Sequence, residues 1–187
     1  MLQLKYPLLK ENQMSSSKQF LTPITSIRYS PFKGNNLKNE STLIKFHDLF
    51  LLDRLGNKTI ENGISTTLGI EYKFQDNLKQ DKLNLGIGIN FRDKVDKDLP
   101  ISSSLGQKTS DIIGYSGINI TENLTLNYDF SIDQNLSETN YSLISANYNG
   151  AKFKTSFEYM EKSNYIGDES YLDRKSTRLN SSHSSVS

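Results

Sequence analysis

His47 is followed by two carboxylates, Asp48 and Asp53. An imidazole with an acid behind it is half of a nucleophilic device, and the other half is a hydroxyl or thiol held against the ring. Nothing in the spacing supplies that half, so His47 reads as a polar loop or lumen residue. Gly86-Ile87-Gly88 carries two glycines of a phosphate-binding turn but lacks the third, and no helix follows it; small residues on a lumen face or at a bend account for it better. The acids Asp76 and Asp81, and Asp93, Asp96 and Asp98, are interleaved with Lys79, Lys82, Lys94 and Lys97. That mixture describes a solvated loop, whereas a dedicated calcium site has ligands at fixed intervals. Asn-x-Ser/Thr triplets at Asn119, Asn123, Asn135 and Asn140 are what an Asn- and Ser-rich chain contains by chance. No nucleophile, base and oxyanion donor can be assembled. The expectation is a protein that is not an enzyme, with no catalytic, metal or cofactor-binding residue and no cofactor.

The elements that carry these residues are strands. Side chains alternate between two faces of a strand, so a period of two marks one with unlike sides. Ile64, Thr66, Leu68, Ile70, Tyr72 and Phe74 share one face, against Ser65, Thr67, Gly69, Glu71 and Lys73. Leu83, Leu85, Ile87, Ile89 and Phe91 oppose Lys82, Asn84, Gly86, Gly88, Asn90 and Arg92. Leu124, Leu126, Tyr128, Phe130 and Ile132 oppose Asn123, Thr125, Asn127, Asp129, Ser131 and Asp133. Phe153, Thr155, Phe157 and Tyr159 oppose Lys152, Lys154, Ser156 and Glu158. Weaker patterns cover 2–9, 19–30, 110–120 and 138–148, and 42–53 is either a short strand or a structured loop. Eight or nine strands follow, with no amphipathic helix.

The connections alternate in length. Asn149-Gly150 is a tight hairpin signal, and Thr121-Glu122-Asn123 and Asn135-Leu136-Ser137 are short, while 31–41 and 93–109 are long and polar. Short turns at one end and long loops at the other, on strands of about 9–11 residues, is how outer-membrane barrels are built. Lipid satisfies no backbone hydrogen bond, so such a sheet closes on itself. Tyr6, Tyr29, Tyr72, Tyr128, Tyr148 and Tyr159 lie toward predicted strand ends, where an aromatic girdle sits.

Composition bounds the alternatives. The 187 residues make one domain or part of one, with 22 basic and 21 acidic residues, no Cys and no Trp. Balanced charge argues against nucleic-acid binding. Without Cys there are no disulfides, thiolate metal sites or cysteine catalysis. The mean hydropathy of −0.57 and the shortness of every apolar run exclude a transmembrane helix. The first residues lack the basic and apolar regions of a signal peptide. Residues 174–187 are Ser-rich, acid-free and aperiodic, and they read as a non-native, adapter-derived, disordered tail. Setting them aside removes Arg174, Lys175 and Arg178 and leaves 19 basic residues against 21 acidic.

One stretch goes beyond generic barrel chemistry. Leu49-Phe50-Leu51-Leu52-Asp53-Arg54-Leu55-Gly56 precedes Ile60-Glu61-Asn62-Gly63 and then Gly69-Ile70-Glu71-Tyr72. This resembles the lipopolysaccharide-assembly outer-membrane protein family, LptD (OstA). The neighbours agree in order: Leu4-x-Tyr6-Pro7, Thr22-Pro23 with Tyr29-Ser30-Pro31, Leu83-x-Leu85-Gly86 with Arg92, Ser110-Asp111-Ile112-Ile113-Gly114, and Tyr128-Asp129-Phe130. The run around Asn57-Lys58-Thr59 is shorter than the family's and lacks its Asp-Arg pair, and no Gln follows Gly86.

The resemblance implies an all-β chain of antiparallel up-and-down strands, with residues 1–173 forming a middle segment of a large barrel in a Gram-negative outer membrane. The family's terminal strands, lateral seam and disulfide cysteines would lie elsewhere. It implies a role in inserting lipopolysaccharide into the outer leaflet, with outer-membrane lipid, a plug lipoprotein and a periplasmic lipopolysaccharide bridge as partners. Phe50, Asp53, Arg54, Gly56, Glu61, Gly63, Gly69, Tyr72, Ser110, Asp111 and Gly114 would be structural motif residues. Glu71, Lys73, Asn90, Arg92, Asn127 and Asp129 would face the lumen, and Leu68, Ile70, Leu85, Ile87, Leu126 and Tyr128 the lipid. The alternatives are a small self-contained barrel, serving as a pore or adhesion module, and a soluble β-sandwich binding module.

Overall fold

A computed structural model describes residues 1–32, 34–56, 61–164 and 169–178. The chain forms one antiparallel sheet of ten strands. They are β1 (Leu2–Lys5), β2 (Leu8–Asn12), β3 (Ser17–Ser30), β4 (Gly63–Gln75), β5 (Asp81–Arg92), β6 (Ile112–Asn119), β7 (Leu124–Ile132), β8 (Thr139–Asn149), β9 (Phe153–Lys162) and β10 (Glu169–Arg178). From β3 to β10 each strand pairs with the next in sequence, and β1 and β2 share the other side of β3. Among the described residues β10 does not return to β1 and no second sheet faces the first, so neither a closed small barrel nor a sandwich is formed. No α-helix is present among the described residues, and no helix is long and apolar enough to cross a membrane.

The four clear alternations fall on β4, β5, β7 and β9. The weak pattern over 2–9 is two strands, because Pro7 lacks the N–H a ladder needs and interrupts the edge; Tyr6 N–H bridges the gap by donating to Pro23 O at 3.1 Å. The segment 42–53 is a structured loop with a single 3-10 turn at Asp48–Phe50. Tyr128 lies mid-strand and Tyr6 in the interrupted edge, so the tyrosines do not form one level ring. β10 had no alternation to announce it. It forms because β9 presents a row of unpaired backbone groups that an extended segment satisfies. Its ladder runs to Arg178, taking in residues 174–178 of the segment set aside as a tail, while 179–187 fall outside the described residues.

Burial is inverted relative to a water-soluble sheet. On the face carrying Ile64, Leu68, Ile70, Leu85 and Ile87 the large apolar side chains are exposed, Leu68 by 43% and Ile87 by 44%. On the opposite face Ser26, Thr67 and Asn90 are fully buried. The cover is provided by the described residues of the two long connections, 34–56 and 61–62 between β3 and β4 and 93–111 between β5 and β6, which pack on that inner face. At the other end of the sheet the turns are tight, such as Asp76–Gln80 and Gly150–Lys152.

Candidate functional site

The inner face is built in rows set by strand register. One row runs Ile24, Gly69, Gly88, Ile113 across β3 to β6. The two central glycines leave a trough between two isoleucines, and the β3–β4 loop fills it. A Cβ on Gly69 would stand 2.5 Å from Phe50 Cζ, and one on Gly88 would stand 3.0 Å from Leu49 Cδ1. Phe46 lies over Gly86 and Gly88 and meets the Tyr115 ring at 5.3 Å between centroids. Leu49 and Phe46 are sealed from solvent at 0% and 1% exposure. They join Leu37, Ile44 and Leu55 of the same loop and Leu99 and Leu105 of the β5–β6 loop in one apolar core. Gly86 and Gly88 thus act as small residues on the covered face, as their sequence context suggested.

Two further rows lie toward the loop end: Ser26, Thr67, Asn90, then Arg28, Ser65, Arg92. The loop brings Arg54 down onto them. Arg54 Nη1 donates to Thr67 Oγ1 at 3.3 Å and to Leu49 O at 3.2 Å, and Nη2 donates to Asn90 Oδ1 at 3.1 Å. Arg28 Nη2 donates to the loop carbonyls of Leu49 and Leu51, both at 2.7 Å, and its Nη1 to Thr67 Oγ1 at 3.0 Å.

Glu61 closes the cluster. Its Oε1 accepts from Arg54 Nε, and its Oε2 accepts from Arg54 Nη2 at 2.6 Å and from Arg92 Nη1 at 2.8 Å. Arg92 Nη2 also donates to the Asn62 carbonyl and lies 3.5 Å from Asp96 Oδ2. Burial pushes the Glu61 carboxyl up, but the bonds from Arg54 and the charges of Arg54, Arg92 and Arg28 outweigh it and hold it below its ordinary value of 4.5. Buried charge survives here because it is both paired and hydrogen-bonded.

Next to this cluster, Ser110 Oγ accepts from Asn90 N–H at 2.9 Å, and Asp111 Oδ2 accepts from Ser131 Oγ at 2.8 Å and Asn140 Nδ2 at 3.0 Å. Ser110 and Asp111 therefore pin the β5–β6 loop to β5, β7 and β8. Toward the turn end the inner face opens into a cavity of about 580 Å³ lined by Glu71, Lys73, Asp81, Asn84, Tyr115 and His47. His47 Nδ1 stands 3.5 Å from Glu71 Oε1, and Lys45 Nζ stands 3.7 Å from Asp129 Oδ2 on β7.

The motif residues divide accordingly. Phe50, Arg54, Glu61, Gly69, Ser110 and Asp111 meet in this covered zone. Gly56 and Gly63 are there for conformation, at φ +73° and +87° where other side chains are strained. Asp53 is exposed at the loop surface, its carbonyl accepting from Gly56 N–H at 2.7 Å. Tyr72 and Gly114 lie on the opposite, apolar face, where the Phe130 ring covers Gly114. Asn57-Lys58-Thr59 lies outside the described residues.

The six residues expected to face a lumen share the inner face. Glu71 and Lys73 border the open cavity, Asn127 Nδ2 donates to Ser145 Oγ at 3.3 Å, and Asp129 meets Lys45. Asn90 and Arg92 face inward too but are buried beneath the loops. Of the six expected on the lipid side, Leu68, Ile70, Leu85 and Ile87 are exposed, while Leu126 and Tyr128 are half-buried among neighbours on that same face.

Sequence reasoning gave no site role to Arg28, Thr67, Phe46, Ile24 or Ile113. The available signal was phase: Ile24 and Ile113 are apolar residues on a face that is otherwise polar. Among the described residues no group of His, Cys, Asp and Glu could hold a metal ion. What the arrangement does is to hold two loops on a sheet.

Comparison with known proteins gives one family model, described as "LptD: LPS transport system D", which matches residues 1–184. No curated protein matches the chain.

Proposed function

Because the chain belongs to the LptD family, whose members act in lipopolysaccharide transport and outer-membrane assembly, we propose that it is a stretch of the wall of an outer-membrane barrel through which lipopolysaccharide is delivered. The family is one of transport and assembly proteins, not of enzymes. In this reading residues 1–173 belong to the middle of the barrel. The face of Leu68, Ile70, Leu85, Ile87, Leu126 and Tyr128 meets lipid, and that of Glu71, Lys73, Asn90, Arg92, Asn127 and Asp129 meets the lumen. A plug lipoprotein and a periplasmic lipopolysaccharide bridge are the partners.

The observation that carries the reading is the inverted burial. A sheet that leaves Leu68, Ile70 and Ile87 exposed and buries Ser26, Thr67 and Arg92 suits a surrounding that is apolar. A polar inner face then accommodates the sugars of a glycolipid while an apolar wall adjoins its acyl chains. The tight turns would face the periplasm and the two long loops the cell exterior.

The test places arginine on either side of one strand. Arginine on the lipid face near the bilayer midplane costs about 2–4 kcal/mol, and on the lumen face far less. Leu126→Arg is expected to deplete the protein from isolated outer membranes, and Asn127→Arg to leave its level near the parent's. Equal levels for the two variants would overturn the assigned facing.

A further inference from the structure

The cavity toward the turn end of the inner face holds a charge that the chain itself does not balance. Register sets Glu71, Gly86, Tyr115 and Asp129 in one row across β4 to β7, with Phe20, Lys73 and Asn84 in the row beside it. Two neighbouring carboxylates each have a lysine: Asp81 has Lys73 Nζ at 3.0 Å, and Asp129 has Lys45 Nζ at 3.7 Å. Glu71 has neither lysine nor arginine as a partner among the described residues. Its side chain is only 25% exposed, and what stands against it is His47 Nδ1 at 3.5 Å, on an imidazole that is charged only when protonated. A carboxylate so far withdrawn from water ordinarily keeps a cation beside it.

A second group lining the same cavity also lacks a partner. Asn84 Oδ1 is buried and accepts no hydrogen bond, which is costly for an acceptor away from water. Glu71 pairs with Gly86, and Lys73 with Asn84, so Glu71 and Asn84 are diagonal neighbours, a spacing of about 7–8 Å that one small ligand can bridge. Gly86 puts no side chain between them, and the Tyr115 ring enters the space over it. A charged acceptor, a neutral acceptor and an aromatic ring thus border one opening.

We propose that this cavity binds a small primary alkylammonium ion, whose N–H groups donate to the Glu71 carboxylate and to Asn84 Oδ1 beside the Tyr115 ring. A divalent metal needs a fuller set of oxygen ligands, and among the described residues no group of His, Cys, Asp and Glu could hold one. An ammonium needs only acceptors for its N–H groups, and an aromatic face adds to its hold. Lys73 already serves Asp81 and repels a second positive charge, so the ligand carries one ammonium and an uncharged tail, for which Phe20 supplies an apolar wall. The volume, about 580 Å³, is in the range of small-molecule sites. Nothing in the site requires that glycolipid pass it.

The test is isothermal titration calorimetry on the complete gene product, purified in detergent from its host membrane, with butylammonium chloride as the probe. The parent is expected to bind butylammonium. Butanol, which lacks the charge, and tetramethylammonium, which lacks the N–H groups, are expected to bind at least about tenfold more weakly, the worth of one hydrogen bond to a charged group. Glu71→Gln is expected to lose about tenfold in affinity for butylammonium. Glu122→Gln makes the same change of charge at an exposed turn outside the cavity and is expected to match the parent. No binding by the parent, equal affinity for the three probes, or a Glu71→Gln variant that binds as tightly as the parent would each overturn the proposal.

Should Glu71→Gln fail to accumulate, Asn84→Ala is titrated in its place. It leaves every charge of the cavity where it was and removes only the neutral acceptor. Its preference for butylammonium over tetramethylammonium is expected to shrink, which a change in packing alone does not produce. A variant that keeps the parent's full preference overturns the assignment.

Discussion

Strands β3–β6 and strands β9–β10 belong to the same antiparallel sheet, but their inner faces end up in different states. Over β3–β6 the loop end of the inner face is buried, with Thr67 and Asn90 at 0% exposure. On β9 and β10 the residues in equivalent registers, Lys154, Glu158 and Lys175, stay exposed. Alternation decides which side a residue faces. What decides whether that side becomes a packing surface is a short local departure: Gly69 and Gly88 paired across β4 and β5, bracketed by Ile24 and Ile113. β9 and β10 have no glycine and no trough, and the neighbour that Lys175 finds is Asp173 at 3.3 Å on its own strand. The polar face of this sheet is thus not one environment, and a few missing side chains convert part of it into a core.

The contrast is broken most severely at the buried ion pairs. Arg54→Ala leaves Glu61 with a single guanidinium partner in a closed site and is expected to cost about 3–5 kcal/mol. Lys45→Ala removes the exposed 3.7 Å contact that reaches toward the open half at Asp129 and is expected to cost no more than about 1 kcal/mol. Denaturant unfolding of both variants in the same detergent measures the difference, and similar losses would mean that the covered half is not energetically distinct.

A smaller effect should come from the floor itself. Gly69→Val drives Cβ into the Phe50 ring and toward Ile87 O, an overpacking expected to cost about 1–3 kcal/mol. Gly117→Ala meets only Asn127 Oδ1 at 3.2 Å, the end of a side chain that can turn away, and is expected to stay within about 0.5 kcal/mol of the parent. The same unfolding curves report both.

The pH response sharpens the comparison without any substitution. Glu61 titrates below its ordinary 4.5 in the folded protein, so its contribution is fully present above that value and is lost as pH falls through the depressed one. Asp76 and Asp133 are also held low, Asp76 first by the Gln80 N–H and Asp133 first by the Glu138 N–H, but both lie in exposed turns. Limited proteolysis across an acid series is therefore expected to open the β3–β4 loop while the Asp76 and Asp133 turns keep their parental cleavage pattern.

These contrasts also show where the sequence was legible. The facing of β4, β5, β7 and β9 could be read because one side of each is apolar but for Thr66 and Thr155. The docking of the two loops could not, because its contacts join residues far apart in sequence: Phe50 to Gly69, Arg54 to Asn90, and Glu61 to Arg92. Gly86 and Gly88 could be assigned to the inner face, but what they receive comes from a loop with no periodicity of its own. Arg92 reads as a lumen residue by phase, and only the fold reveals that it is covered. β10 was invisible because its pairing is dictated by the edge of β9 and not by its own pattern.

The core beneath the loops also bears on the order of assembly. Ile24, Gly69, Gly88 and Ile113 become neighbours only when four strands are aligned without error. A slip of one residue between β4 and β5 would exchange faces and set Ile70 or Ile87 where Phe50 and Leu49 must rest. The loops then have nowhere to dock and stay open to proteases. Docking is therefore a readout of correct strand alignment: a proofreading step in which a finished sheet is told from a misregistered one by whether two glycines have met.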